Sequence, residues 1–184
     1  MKLLYFVALL YTLSACCTRN PTELFEKPKP KAKQAIGLEY LFVRSNGSMD
    51  TIRREITESR KTDSLYIISY RTTFGVNEAK NEYNFPATKE YETLTNYQLL
   101  DSITINIENK NYRVFKYLYD DRVTVDEEHL FFYSPDFGVI IFRSAVWGNY
   151  ERLTKTDDPK NDRIIFFLEE MIMNDDDDFF VRWK

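Results

Sequence analysis

Hydrophobic and polar residues alternate along much of the chain from residue 36 onward, and this period of two is typical of strands that bury one face. Ile103, Ile105 and Ile107 alternate with polar residues, and an apolar run over 112–119 follows Asn109-Lys110-Asn111. Asparagine favours tight turns because it tolerates the left-handed backbone conformation. The pattern therefore predicts a β-hairpin over residues 103–119.

The densest apolar stretch consists of residues 130–133 and 139–142, joined by Ser134-Pro135-Asp136-Phe137-Gly138. Proline presets φ at the second position of a turn, and glycine takes the left-handed conformation that closes one. We predict a second hairpin here. Because both of its strands are apolar on both faces, we place it at the centre of the core.

Three shorter patterns predict further strands, over residues 38–57, 65–73 and 147–153. In the first, Asn46-Gly47 suits a two-residue type I′ turn between strands 38–44 and 49–57, because both turn positions need positive φ. The second is apolar and β-branched, as expected of a central strand. The solvated side of strand 49–57 is assigned to four charged residues: Arg53, Arg54, Glu55 and Glu58.

The polar stretch over residues 75–91, which surrounds Pro86, predicts a long loop, and residues 93–101 predict a short helix or an irregular segment. Asp158-Pro159 then begins a helix, since aspartate accepts from orphan amides and proline tolerates the first helical position. The helix should run over 159–173 and pack an apolar stripe on the sheet: Ile164, Ile165, Phe167, Leu168, Met171 and Ile172. The predicted fold class is α+β, an antiparallel sheet of about six to eight strands with this C-terminal amphipathic helix.

The N-terminus has the layout of an export signal. Lys2 supplies a positive charge, and residues 3–13 form an uncharged apolar run before the small residues Ser14 and Ala15. A membrane-spanning helix needs about 20 apolar residues, so this run is too short to be a permanent span. We expect residues 1–15 to be removed as a signal peptide.

Leu13-Ser14-Ala15-Cys16 resembles the lipobox of bacterial lipoproteins, whose pattern is Leu-(Ala/Ser)-(Gly/Ala)-Cys. The resemblance covers the first 16 residues alone and implies that Cys16 becomes the acylated first residue of the mature chain. Two acyl chains already give stable attachment, so a lipid bilayer is the first expected partner. The alternative is an ordinary secreted protein whose signal happens to end in cysteine.

The resemblance also implies a location in the cell envelope. Cys17 rather than aspartate follows the lipobox cysteine, which in that family favours delivery to an outer membrane, with either face open. Residues 16–35 contain the alternating prolines and lysines of Pro28-Lys29-Pro30-Lys31 and predict a semi-rigid tether, with residues 36–184 as a single globular domain. The lysines serve as a solvated spacer or touch anionic head groups.

Composition narrows the classes of function. The formal net charge is −4 and no basic stripe is present, so nucleic acid is an unsuitable partner. Cys16 and Cys17 are the two cysteines of the chain, so no disulfide is expected within the domain. We expect no cofactor and no enzymatic activity, because the domain contains one histidine, no thiol and no phosphate-binding or nucleophile-elbow motif.

Two acidic segments are candidate metal sites. His129 follows Asp126, Glu127 and Glu128, but adjacent strand residues point to opposite faces, so we expect a solvated turn rather than a metal site. The run Asp175–Asp178 lacks the spaced ligands of a calcium loop and is interpreted as a solvated break.

The C-terminal apolar segment with Phe179, Phe180 and Trp183 is the predicted partner contact, either a last edge strand or a docking peptide. Trp147 and Tyr150 are candidates for stacking on sugars, with core packing as the alternative. The leading hypothesis is therefore a non-enzymatic accessory lipoprotein of the bacterial envelope that works by protein contact. The alternative is a lipoprotein that binds a glycan or a small molecule.

Overall fold

The computed structural model describes residues 36–74, 76–120 and 128–174. These residues form nine strands, one short 3-10 helix over Lys89–Leu94 and one α-helix, α1, over Pro159–Met173. The strands are β1 (Ile36–Val43), β2 (Met49–Lys61), β3 (Leu65–Phe74), β4 (Asn77–Pro86), β5 (Tyr97–Ile107), β6 (Lys110–Tyr119), β7 (His129–Ser134), β8 (Gly138–Ser144) and β9 (Tyr150–Thr156).

All nine strands belong to one antiparallel sheet with the order β4-β3-β2-β1-β9-β8-β7-β6-β5. Two meanders, β1–β4 and β5–β9, are joined where β1 pairs with β9. The prediction of a mostly antiparallel sheet with a C-terminal helix is confirmed, but the sheet has nine strands rather than six to eight. The strand over 65–73 is confirmed as β3, although it lies next to the edge strand β4 and not at the centre of the sheet.

The sheet curls so that its two edge strands approach each other across an aromatic interior. The Tyr117 hydroxyl on β6 donates to the carbonyl of Pro86 at the end of β4, with an O···O distance of 2.9 Å. Rings from the two halves of the sheet also meet, with Phe85 stacked on Tyr117 at 4.6 Å and Tyr66 against Phe115 at 5.5 Å. Burial of these large rings supplies most of the driving force for closing the sheet.

Helix α1 covers the opposite face of β8 and β9. The Asp158 carboxylate accepts from the amide of Lys160 at 3.0 Å, which confirms the predicted N-cap. Ile165, Leu168 and Ile172 are buried against the sheet, but Phe167 and Met171 of the predicted stripe are exposed. The six predicted residues cover a wider arc of the helix than the face that contacts the sheet. Some of them therefore remain in contact with solvent.

Two predictions for the middle of the chain are wrong. Residues 77–86 form β4 instead of a loop, because an edge strand with one solvated face can be as polar as Asn77–Glu82 while Phe85 is still buried. Residues 97–107 form one long strand, β5, instead of a helix or irregular segment before residue 103. A strand bulge between Leu99 and Asp101 disrupts the alternation that would have revealed it.

The turns differ in detail from the predictions. Gly47 has φ of +82°, but Asn46 is not in the left-handed region, so the Arg44–Ser48 turn is not type I′. The β5–β6 hairpin is confirmed, and its two turn residues with positive φ are Glu108 and Asn109. The β7–β8 hairpin is also confirmed at the centre of the core, with Gly138 at φ +84°.

Several predictions lie outside the described residues. These are the signal peptide over 1–15, the tether over 16–35 with Cys16, the acidic residues Asp126 and Glu127, the run Asp175–Asp178, and the C-terminal Phe179, Phe180 and Trp183. In the part of the chain that the structure describes, no helix combines the length and the hydrophobicity needed to cross a membrane.

Candidate functional site

The strand directions define two ends of the sheet. The β1–β2, β3–β4 and β8–β9 turns lie at one end, together with the first residue of β5. The paired positions Val43–Met49, Phe74–Asn77 and His129–Ser144 show this arrangement. The chain enters β1 at the other end, where Leu38 pairs with Thr156 just before α1. Strand β1 has eight residues, so roughly 25 Å separates the two ends.

Four exposed apolar side chains lie at the end of the sheet that carries these turns, and others lie on α1 and elsewhere. Val76 is 99% exposed, Trp147 and Met49 are each 61% exposed, and Val146 is 45% exposed. We call these four residues the rim. The β1–β2 and β8–β9 turns are held together because the amide of Ser45 donates to the Asn149 side-chain oxygen at 2.8 Å. Two of the turns that carry the rim are therefore fixed to each other.

Below the rim, a buried ion pair lies on the interior face of the sheet. Arg54 Nη1 on β2 is 2.7 Å from Glu151 Oε2 on β9, and the two side chains are 12% and 9% exposed. The Arg54 guanidinium also lies over the Tyr40 ring, 4.8 Å from its centroid. Burying both charges costs desolvation free energy that the attraction between them need not repay. A contribution to stability therefore does not by itself explain why the pair is present.

The prediction that Arg54 lies on the solvated side of β2 is wrong. Arg53 and Glu55 do face outward, whereas Arg54 shares the inward face with Ile52 and Ile56. Period-two alternation places residues 52, 54 and 56 on one face, so the signal was present in the sequence. The position of Arg54 between Ile52 and Ile56 on that face indicates an inward-facing charge.

Half-buried aromatic residues continue the site around the interior. The side chains of Tyr83, Tyr97, Tyr119, His129 and Phe142 form a chain of ring contacts. The ring centroids are 6.5 Å apart for Tyr83–Tyr97, 5.2 Å for Tyr97–Tyr119, 6.2 Å for Tyr119–His129 and 4.8 Å for His129–Phe142.

The chain of rings closes on the ion pair, because Phe142 pairs in register with Glu151. Phe131 is buried at its centre, within 5.4 Å of Tyr83, Tyr97 and Phe142. We call the five half-buried rings together with Arg54 and Glu151 the mouth.

Polar atoms gather at the mouth. Thr72 is the cross-strand neighbour of Arg54 and is 1% exposed. Among the described residues, neither Thr72 Oγ1 nor Arg54 Nε has a hydrogen-bond partner. Buried polar groups are normally satisfied, so these two neighbouring atoms are a candidate binding feature of the interior.

Burial changes the titration of these groups. It raises the pKa of Tyr83, while the nearby Arg54 charge lowers it. It also raises the pKa of Tyr97, to which Tyr83 and Tyr119 add. Burial opposes the charge of Arg54, but Glu151 and Tyr40 more than offset this, so the pKa of the guanidinium is raised. The tyrosines are therefore neutral and Arg54 is charged at physiological pH.

Deeper in the interior, tyrosine hydroxyls bind the backbone of the central hairpin. The Tyr40 hydroxyl donates to the Val139 carbonyl at 2.8 Å, and the Val139 amide donates to the Tyr70 hydroxyl at 2.8 Å. A register shift between Phe132 and Tyr133 leaves β8 locally irregular at this point. These two hydroxyls are therefore part of the structural core.

The structure locates three of the residues singled out from the sequence. His129 begins β7, where its ring stacks on Tyr119 and meets Phe142 at a tilt, so the prediction of a solvated turn is wrong. Trp147 is exposed in the β8–β9 turn, whereas Tyr150 is half-buried at the start of β9. In the described part of the chain, no group of three His, Cys, Asp or Glu side chains is placed to hold a metal ion.

The outer face of β1, β2, β3 and β9 has a groove of about 410 Å³ lined by paired charges. Glu39 lies 3.1 Å from Lys155 and 3.9 Å from Arg53, and Arg71 lies 3.6 Å from Glu55. Exposed cross-strand pairs contribute little to stability and are common on solvated faces. We assign the groove to the solvent-exposed surface of the sheet.

The comparisons with known proteins do not assign the chain to a family. No protein-family model and no curated protein matches the chain. Among solved structures, the chain resembles the crystal structure of a LolA superfamily protein from Nitrosomonas europaea, with 16% identity over 70% of each chain and a TM-score of 0.20. A TM-score this low supports no argument, so the interpretation depends on the residues of the site itself.

Proposed function

We propose that this protein is a lipid-anchored, non-enzymatic accessory protein of the bacterial cell envelope, which works by contact between its rim and a partner protein. The observation that carries the proposal is the position of the rim. Met49, Val76, Val146 and Trp147 are exposed at the end of the sheet opposite the end where the chain enters β1. Large apolar side chains gathered on a surface mark interaction sites.

The rim lies at a distance from the point where the chain enters the domain. Strand β1 begins at Ile36, and roughly 25 Å separates this end of the strand from the end that carries the rim. An apolar surface in that position is available to a partner in the aqueous space of the envelope.

A second candidate function is the binding of a glycan or a small molecule, and the mouth is the observation that favours it. Half-buried rings, an ion pair and unused polar atoms converge below the rim. Small-molecule sites combine apolar walls with a few placed polar groups in this way.

Site-specific photo-cross-linking in cells that make the protein tests the contact. A benzophenone amino acid is placed at position 147 in the rim or, as a matched control, at position 166 on the outer face of α1. Trp147 and Phe166 are both exposed aromatic residues, but they lie on different parts of the domain. We expect a single recurring protein adduct from position 147 and none from position 166.

The same experiment with Cys16→Ala separates anchoring from folding. The substitution removes the proposed acylation site and leaves the domain intact, so the adduct should be lost together with membrane attachment. A rim position that yields no protein adduct, or yields the same adducts as position 166, would contradict the contact function.

A further inference from the structure

We infer that the mouth binds a neutral saccharide, with sugar rings stacked on its half-buried aromatic side chains and sugar hydroxyls bound to the polar groups of the Arg54–Glu151 pair. This inference rests on the second candidate function and not on the contact of the rim with a protein. It assigns a ligand class to residues on five strands: Arg54, Tyr83, Tyr97, Tyr119 and Glu151.

The aromatic part of the mouth fits the apolar faces of sugars. The fully buried rings next to the mouth, such as Phe85 and Tyr117, pack against each other and leave no surface for a ligand. In contrast, Tyr83, Tyr97 and Tyr119 keep part of their surface exposed around the buried Phe131. Tyrosine suits this role because its ring is apolar while its hydroxyl donates and accepts.

The ion pair fits the polar part of a sugar. Neighbouring sugar hydroxyls each donate and accept, and Arg54 beside Glu151 offers a donor next to an acceptor. Arg54 Nε and Thr72 Oγ1 add a donor and a hydroxyl that have no hydrogen-bond partner among the described residues. Thr72 is the cross-strand neighbour of Arg54 on the same strand pair, so the two groups lie close together.

The charge of the mouth selects against ionic ligands. Arg54 and Glu151 lie 2.7 Å apart and form a pair without net charge, so the mouth offers no unpaired charge to offset the desolvation of an ionic ligand. Burial raises the pKa of Tyr83 and of Tyr97, which therefore stay neutral. A neutral polyhydroxylated ring meets the donors, the acceptors and the aromatic faces at the same time.

The rim extends the binding surface. The Trp147 amide donates to Ser144 Oγ at 3.1 Å, and Ser144 pairs in register with His129 of the mouth. The backbone of Trp147 is therefore fixed near the mouth aromatics, and its indole is exposed. An oligosaccharide longer than one unit would extend from the mouth onto this indole.

Calorimetry and saturation-transfer NMR on the full mature chain test the inference. The chain is held in a phosphocholine detergent, which has no sugar head group. The neutral probes are maltotriose and N,N′,N″-triacetylchitotriose, and a hyaluronan tetrasaccharide is the acidic probe. We expect saturable binding of at least one neutral probe, with transfer to the sugar ring protons, and weaker or absent binding of the acidic probe.

Two substitutions separate the mouth from the general surface. Tyr119→Ala removes a half-buried mouth ring, and affinity should fall about tenfold or more, as loss of an aromatic contact predicts. Phe166→Ala removes an exposed ring on α1 and should leave affinity unchanged. Tyr97→Phe removes a single hydroxyl and keeps the ring, so it tests the site if Tyr119→Ala fails to fold.

The inference is overturned if neither neutral probe binds, if the acidic probe binds more tightly, or if Phe166→Ala weakens binding as much as Tyr119→Ala. Photo-cross-linking at position 147 gives an independent answer about the protein partner. Saccharide binding without a protein adduct would remove the contact function alone, and a protein adduct without saccharide binding would remove this inference alone.

Discussion

Arg53 and Arg54 are adjacent on β2 and have opposite environments. Arg53 has a side chain that is 84% exposed and lies 3.9 Å from Glu39, whereas Arg54 is buried against Glu151 and Tyr40. Their difference comes from the alternation of side chains along a strand. A pair of neighbouring arginines with different burial gives a matched comparison of an interior and an exterior charge.

Arg54→Met should destabilise the domain by about 3–5 kcal/mol, because it leaves Glu151 buried without a counter-charge. Arg53→Met should change the free energy of unfolding by less than about 0.5 kcal/mol. Urea unfolding of the two variants measures both values. The double variant Arg54→Met with Glu151→Leu should recover much of the loss, since it removes both charges. Equal effects of Arg53→Met and Arg54→Met would show that the ion pair is not buried.

Glu169 makes stability depend on pH. It faces the sheet from α1 and is 3% exposed, and burial raises its pKa to about 8, although Arg152 at 3.9 Å acts in the opposite direction. In the unfolded chain the carboxyl titrates at its ordinary value near 4.5. Between these values the unfolded state releases a proton that the folded state retains, so stability falls as pH rises from about 4.5 to about 8.

Glu169→Gln should remove this dependence and stabilise the protein by on the order of 2–3 kcal/mol at pH 7, because no carboxyl then needs to stay protonated. The exposed neighbour Glu170 provides the control, and Glu170→Gln should leave the pH profile unchanged. Thermal unfolding from pH 4 to pH 9 measures the profile. A wild-type stability that rises over this interval would contradict the assignment.

At the scale of single elements, the β7–β8 hairpin connects the sheet to its interior. Gly138 has φ of +84°, and a Cβ there would lie 2.5 Å from the Tyr70 hydroxyl and 2.8 Å from Ile68 Cδ1. The same Tyr70 hydroxyl accepts from the Val139 amide. The turn is therefore fixed by its own backbone and also by close approach of the opposite half of the sheet.

Gly138→Ala should cost about 2–4 kcal/mol, the sum of left-handed strain and overpacking. Gly47 has a similar φ of +82°, but no atom of the described residues lies within 4 Å of the position that a Cβ would take. Gly47→Ala should therefore cost about 1 kcal/mol, from the strain alone. Chemical unfolding of both variants measures the difference. If the two substitutions cost the same, the contact of Tyr70 with the turn contributes nothing.

The elements that the sequence predicts best are those with undisturbed periodicity. The β5–β6 and β7–β8 hairpins and α1 follow from alternating isoleucines, dense apolar runs and an Asp-Pro start. Strand β4 does not follow, because its stability comes from pairing with β3 and from one buried ring, Phe85, and not from its own composition. Local pattern is a weak guide to an edge strand whose outer face is polar.

The mouth is not predictable from single positions. Its residues come from β2, β4, β5, β6, β7, β8 and β9, and they meet because the sheet curls and brings β4 toward β5. The sequence shows an aromatic-rich chain and an inward arginine between two isoleucines. Which tyrosines pack fully and which remain at the surface is decided by tertiary structure.

At the scale of the whole molecule, one end of the sheet receives the chain and the other presents the rim. The proposed function adds a membrane anchor to this domain, and the lipobox Leu13-Ser14-Ala15-Cys16 is the sequence feature on which that anchor rests. Acylation of Cys16 is thus the central claim, because the assignment to the envelope lipoproteins follows from it.

Intact-mass spectrometry of the protein from the membrane fraction of its own cells tests this claim most directly. We expect a mature chain that begins at Cys16 and has gained the mass of two or three acyl chains, with the modification located on the first residue. Cys16→Ala should yield a chain without acyl mass. A membrane-associated wild-type chain that retains residues 1–15, or begins at Cys16 without acyl groups, would contradict the account.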